Sequence, residues 1–170
     1  MEKPQYKFVT TSEEFEEALE VRKRVFVDEQ GVSEGLEFDD CDKEALHIVV
    51  KDERIVIGTS RVIFLNSTTA KLERMAILKH FRGKGIGSNI ISFLIKELKT
   101  NSIEYVVIHA QCSAVAFYKL CGFEETGKPF MEANIKHIKM QKNSNCIKSI
   151  IGGNYGISRA YEETIQRESL

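Results

Sequence analysis

Leu72-Glu73-Arg74-Met75-Ala76-Ile77-Leu78-Lys79-His80-Phe81-Arg82-Gly83-Lys84-Gly85-Ile86-Gly87 is the stretch on which the fold turns. An apolar strand runs into a short turn, then a glycine-rich loop, and Ile86 opens a segment with helical periodicity. The first amides of a helix lack partners and carry a partial positive charge, so they attract anions. Glycines at 83, 85 and 87 let a ligand approach the backbone, and Arg82 and Lys84 add cationic donors. The segment reads as a cradle for a diphosphate, with a ligand-free glycine turn as the plain alternative.

Spacing excludes two common cradles. A Walker-type loop needs four residues between its first glycine and Gly-Lys-Ser/Thr, and no such run occurs. A dinucleotide fingerprint needs its third glycine one residue later and an acid ending the next strand, whereas Tyr105 to His109 carries none. Arg82-x-x-Gly85-x-Gly87 remains. Downstream, Ile103 to Gln111 has the β-branched and aromatic content of a strand. Ser113-Ala114-Val115-Ala116-Phe117-Tyr118-Lys119-Leu120-Cys121-Gly122-Phe123 then contains A-x-x-x-Y-x-x-x-G-F, with Gly122 suited to the left-handed residue after a helix end.

These two motifs, in this order, resemble the GCN5-related N-acetyltransferases (GNAT). Val25 to Val32 and Phe130 to Met140 further resemble the ElaA/YjcF-type branch, so the resemblance covers residues 5 to 142. It implies an α/β (α+β) fold with a mixed central sheet of about six to seven strands flanked by helices, over a domain of residues 1–142. Residues 143–170 form an extension of unknown role. The resemblance further implies acetyl-CoA as cosubstrate, contacted by Met75, Ala76, Ile77, Arg82, Gly83, Lys84, Gly85, Ile86, Gly87, Ser88, Gln111 and Tyr118. In many relatives an Asn stands where this chain has Gln111. Backbone groups at the end of Met75-Ala76-Ile77 are expected to splay from the neighbouring strand, one bonding the acetyl oxygen and others aligning the pantetheine arm.

Acetyl transfer to an amine needs a held cosubstrate, a polarised carbonyl, a neutral amine and an acid for the departing thiolate. Tyr118 is the expected acid, against a reading as an amphipathic core tyrosine. Glu73 is one expected base, since period-2 alternation puts it on the face of Met75 and Ile77. His137, on the last strand, is the other, since an imidazole titrates near neutrality. His109 ranks behind both and is expected to be a satisfied core histidine, and ordered water could carry the amine proton with no direct base at all. The acceptor is a primary amine of a small molecule or a protein. A non-catalytic acetyl-CoA-binding sensor or interaction module is the alternative function, and an ATP or NAD binder using the same loop a third.

Composition sets the outer limits. The chain has 170 residues, enough for one domain with a substantial core. Its 42% apolar and 29% charged content is that of an ordinary globular protein. A net charge of −1 argues against a nucleic-acid or anionic-membrane surface. No run approaches 18 uncharged apolar residues, and the N-terminus has no apolar signal core, so a cytoplasmic location is expected. Cys41, Cys112, Cys121 and Cys146 form no C-x-x-C pair and are expected to be reduced. His47, His80, His109 and His137 lack ligand spacing, so no metal is expected. Homodimer formation is left open.

Local signals place the remaining elements. Gln5 to Val9 reads as a strand, and Thr11 with Glu14 as a capping box opening a helix. Asp28 to Lys43 reads as a specificity loop. Strands are expected over Ala45–Lys51, Ile55–Phe64, Lys71–Leu78, about Phe123–Thr126 and Ile135–Gln141. Ser158 to Glu168 has helix-friendly composition beyond the Gly152-Gly153 break.

Overall fold

A computed structural model describes residues 3–99 and 101–144. The elements run β1 (Gln5–Phe8), α1 (Ser12–Arg22), α2 (Glu34–Glu37), β2 (Leu46–Asp52), β3 (Ile55–Asn66), β4 (Thr69–Ile77), α3 (Ile86–Lys99), β5 (Tyr105–Gln111), α4 (Val115–Leu120), β6 (Glu124–Glu125), β7 (Phe130–Glu132) and β8 (Ile135–Asn143). A π-helical segment, Lys23–Glu29, prolongs α1, and the expected specificity loop holds α2 and a 3₁₀ turn, Asp40–Lys43. The eight strands form one sheet in the order β1-β2-β3-β4-β5-β8-β6, with β7 also paired to β8. All pairings are antiparallel except β4 with β5.

Six to seven strands were expected, and the additional one is β7. Glu132 pairs Ile135, so Ala133 and Asn134 form a two-residue hairpin loop, and both adopt positive φ as a type I′ turn requires. At the N-terminus of α1, Thr11 accepts the Glu14 amide at 3.2 Å. The Glu14 carboxylate, however, reaches back to the Thr10 amide at 3.0 Å and to Lys7 and Lys51. The capping box is therefore displaced by one residue.

Two cores lie on opposite faces of the sheet. One, under α3, joins Ile90, Leu94, Ile95 and Leu98 to Ile48, Ile57, Val106, Ile108, Phe123 and Met140. The other, under α1, joins Ala18, Val21 and Val25 to Val49, Val56 and Ala76. Arg22 is fully buried beside the second. It bonds Glu37 through Nε at 2.6 Å and Asp42 through Nη1 at 2.5 Å, and so ties α1 to the 34–43 loop.

Two irregularities in β4 shape the site. Arg61 pairs Glu73 while Thr59 pairs Ala76, so β4 carries an extra residue, and Arg74 takes φ 50°. This is a β-bulge. In addition, β4 and β5 pair only over Thr69–Lys71 and Tyr105–Val107. Beyond that point the strands diverge, as the resemblance implied. At the other end of the sheet β8 continues through Asn143, and buried Ser144 donates its amide to the Glu104 carbonyl at 2.7 Å. The described residues run to Ser144, so the expected 158–168 helix and Cys146 lie outside them. No described helix is long and apolar enough to cross a membrane.

Candidate active site

The cradle is built at the start of α3. Gly83 and Gly85 take φ of +74° and +78°, which L side chains disfavour. The Asn89 amide bonds the Gly85 carbonyl at 3.0 Å, opening the helix. Ahead of it, the amides of Gly83, Gly85, Ile86, Gly87 and Ser88 donate to no acceptor among the described residues. Space at Gly85 is open: an added Cβ would meet only Ser88 Oγ, at 3.8 Å. A fan of free donors with room above it fits a diphosphate. Ile86 and Gly87 serve differently, since Ile86 is buried in the α3 core and a Cβ at Gly87 would come within 3.0 Å of the Phe117 ring.

Arg82 links this cradle to β4. Its Nε donates to the Ile77 carbonyl at 2.8 Å, and its two terminal nitrogens bind Glu29 at 2.5 and 2.8 Å. The next residue, Gln30, accepts from Gln111 at 2.9 Å. Residues 29 and 30, at the end of the π-helical segment, therefore bridge the ends of both diverging strands.

Between those strands lies a cleft of about 350 Å³. Met75, Gln111, Tyr118, Glu73, His109 and His137 all line it. Leu72, Met75, Phe117 and Tyr118 belong to the α3 side, because they pack with that core. His109, Gln111 and His137 alternate with Ile108, Ala110 and Ile138, which pack under α3, so they face the other side. The cleft thus passes through the gap from one face of the sheet to the other.

Two expectations are corrected. Glu73 does not share the face of Met75 and Ile77: the Arg74 bulge interrupts alternation, so Leu72, Met75 and Ile77 lie toward α3 and Glu73 lies opposite, beside Arg61. Nor is His109 a core histidine, since its side chain is 32% exposed and its Nδ1 lies 3.0 Å from Glu132 Oε2.

The environments of the ionisable groups differ sharply. Burial works against charge on Glu73, yet bonds from Lys71 at 2.5 Å and Arg61 at 2.7 Å outweigh it and hold the carboxyl below its ordinary range. A carboxylate so held is a poor proton acceptor. Burial, helped by Cys121, pushes the Tyr118 phenol above its ordinary range, so it stays protonated at neutral pH. Its ring meets Phe117 and Phe123 edge-on at 5.0 and 5.8 Å. His137 is 9% exposed, and its Nδ1 lies 2.8 Å from the Ile135 carbonyl. A carbonyl only accepts, so Nδ1 carries a proton, and in the neutral ring the lone pair is on Nε2.

Comparison with known proteins matches residues 8–144 to the acetyltransferase (GNAT) domain model. The chain belongs to the GNAT acetyltransferase family. Two Bacillus subtilis relatives show how close the likeness is. The uncharacterized protein YyaT is 39% identical over 80% of this chain and 93% of its own length. The uncharacterized N-acetyltransferase YjcF is 36% identical over 77% and 94%. Escherichia coli ElaA has the same fold, with a TM-score of 0.74 over 83% of this chain and 100% of its own, at 19% identity. This GNAT chain is a relative of YjcF and shares the fold of ElaA.

Several residues that shape the site of this acetyltransferase escaped the sequence. Arg61 and Lys71 engage Glu73, Glu29 engages Arg82, and Glu132 engages His109. Only Glu132 had a readable signal, the Ala133-Asn134 turn that makes β7 a strand.

Proposed function

We propose that this protein moves an acetyl group from acetyl-CoA to a primary amine of a small molecule or protein, by direct attack while both are bound. One observation carries the reading. Five unpartnered amides at the α3 cradle stand at one end of a split between β4 and β5, and a cleft through that split holds Tyr118 and two histidines.

In this reading the cradle amides hold the diphosphate, with Arg82 beside them. The edge of β4 that no longer pairs with β5, around Met75, Ala76 and Ile77, accepts the pantetheine arm like an added strand, with the Ile77 carbonyl already taken by Arg82. Gln111 offers a side-chain amide to the same arm. Acetyl-CoA supplies the activated thioester. Tyr118 Oη gives its proton to the departing sulfur, a role that requires the phenol to be neutral until that moment. The amine's proton goes to a cleft imidazole, because the Glu73 carboxylate is already bound by two cations.

Calorimetry with CoA, ATP and NAD, followed by a screen of amines for thiol release from acetyl-CoA, tests the reading. CoA is expected to bind selectively and raise the melting temperature, as a ligand of the native state does, and at least one amine should release thiol. Selective CoA binding without release for any amine would favour a sensor or interaction module. No preference for CoA would overturn the cradle.

A further inference from the structure

We propose that His109, held by Glu132, is the group that takes the proton from the acceptor, and that the acceptor arrives as an ammonium ion drawn to the free side of Glu132. This rests on the acetyl-transfer reading above. Glu132 Oε2 lies 3.0 Å from His109 Nδ1. An ionised carboxylate only accepts, so Nδ1 carries a proton, and in the neutral ring it is Nε2 that presents the lone pair. Both side chains are accessible, at 32% for His109 and 42% for Glu132.

His137 presents a bare Nε2 as well, yet the two rings are not equivalent. The Nδ1 partner of His137 is the neutral Ile135 carbonyl, and its ring is stacked on Phe130. The Nδ1 partner of His109 is an anion, and an anion at Nδ1 stabilises the imidazolium formed when Nε2 is protonated. Phe130 fixes the His109 ring edge-on at 4.9 Å. Other charged groups near the cleft do not compete. Glu73 is tied to Arg61 and Lys71, and Glu37 to Arg22 and Arg74. Lys139, the cross-strand partner of His109, is exposed. Among the carboxylates lining the cleft, Glu132 alone has no Arg or Lys partner within the described residues. Its Oε1 accepts nothing there and is free to meet a cation.

The proton balance closes. His109 Nε2 takes one proton from R–NH₃⁺, and the freed lone pair forms the C–N bond as the C–S bond breaks. Tyr118 gives its proton to sulfur and recovers one from the still-cationic nitrogen. His109 then returns its proton to water, so ammonium and thioester become amide, thiol and one released proton.

Three variants, His109→Asn, Glu132→Gln and His137→Asn, decide the matter, with CoA binding and melting temperature as folding controls. With an amine found in the screen, H109N is expected to lose roughly a hundredfold or more in kcat/KM, the scale of a positioned base, together with the ascending limb of the pH profile. E132Q should lose roughly tenfold or more and displace that limb, whereas H137N keeps it. Nitrogen-15 NMR of the histidine rings supplies a readout independent of turnover: His109 should carry its neutral-form proton on Nδ1. Retention of the limb in H109N, its loss in H137N, or a proton on Nε2 of His109 would overturn the assignment while leaving acetyl transfer intact. Failure of the parent protein to acetylate any amine would sink transfer itself, and the base with it.

Discussion

Arg82 and Glu29 face each other across the mouth of the β4–β5 split, joined by two hydrogen bonds of 2.5 and 2.8 Å. The guanidinium proposed to meet a diphosphate is thus already engaged by a carboxylate. That bond in turn holds the Glu29 carboxyl below its ordinary range. A diphosphate must therefore compete with Glu29, or share Arg82 with it. Glu29→Gln removes the competing charge, so CoA is expected to bind several-fold more tightly, with a steeper loss of affinity as salt rises. Calorimetric titrations at two ionic strengths measure both. Weaker binding by E29Q would mean that Glu29 orients Arg82 instead of occupying it.

The two cradle glycines should fail in different ways. Gly85→Ala forces a Cβ into φ +78° with no protein atom closer than 3.8 Å, a conformational cost of about 1–2 kcal/mol. Its methyl then stands where the ligand must come close, so CoA affinity is expected to collapse while circular dichroism is unchanged. Gly87→Ala has no such conformational penalty, but its Cβ meets Phe117 at 3.0 Å and Ile77 at 3.4 Å. Overpacking of that kind costs ~1–3 kcal/mol. It should lower the melting point and weaken CoA only through the displaced Phe117.

How much of this was readable in advance follows from the range of the forces involved. Arg82, Gly85 and Gly87 are spaced by one local turn, and that spacing survives in the sequence. The α3 stripe from Ile90 to Leu98 is equally local. The Arg74 bulge is not, because it depends on how β3 and β4 register, and one inserted residue reverses every facing assignment beyond it. Hence period-2 alternation alone puts Glu73 on the wrong face. Buried Arg22 reaches Glu37 and Asp42 across 15 and 20 residues, and no periodicity encodes such a contact. His109 looked like a core residue because its strand neighbours are apolar. Its partner Glu132 comes from β7, a strand of only three residues.

Glu14 should set the acid limit of the α1 docking. Burial opposes its charge, but Lys7, the Thr10 amide and Lys51 together hold its carboxyl at about 2, below the ordinary 4.5. A depressed carboxyl contributes stability above its unfolded-state value and loses it as pH falls toward the folded one. The window here is pH 4.5 down to 2. Because Lys7 and Lys51 are 31% and 23% exposed, solvent screening reduces the contribution to about 1–2 kcal/mol. Glu14→Gln is therefore expected to be less stable than the parent by that amount at pH 7, with the difference closing by pH 2. Urea unfolding at pH 7, 4 and 2 measures it. A difference independent of pH would mean that the loss is packing, not charge.

Tyr118 offers the clearest separation between architecture and chemistry. Its ring is fixed edge-on by Phe117 and Phe123, and no hydrogen bond to its hydroxyl occurs among the described residues. Tyr118→Phe keeps the ring contacts and removes only the proton donor. Melting temperature and CoA affinity should barely move, while turnover with an accepted amine falls by roughly ten- to a hundredfold or more, the scale of a positioned acid. Because burial keeps the phenol neutral well beyond its ordinary range, the parent enzyme should show no descending limb from this group up to about pH 10. A single-turnover measurement with saturating amine isolates the chemical step from product release. Parent-like rates in Y118F would return the tyrosine to the core and leave the departing thiolate to solvent.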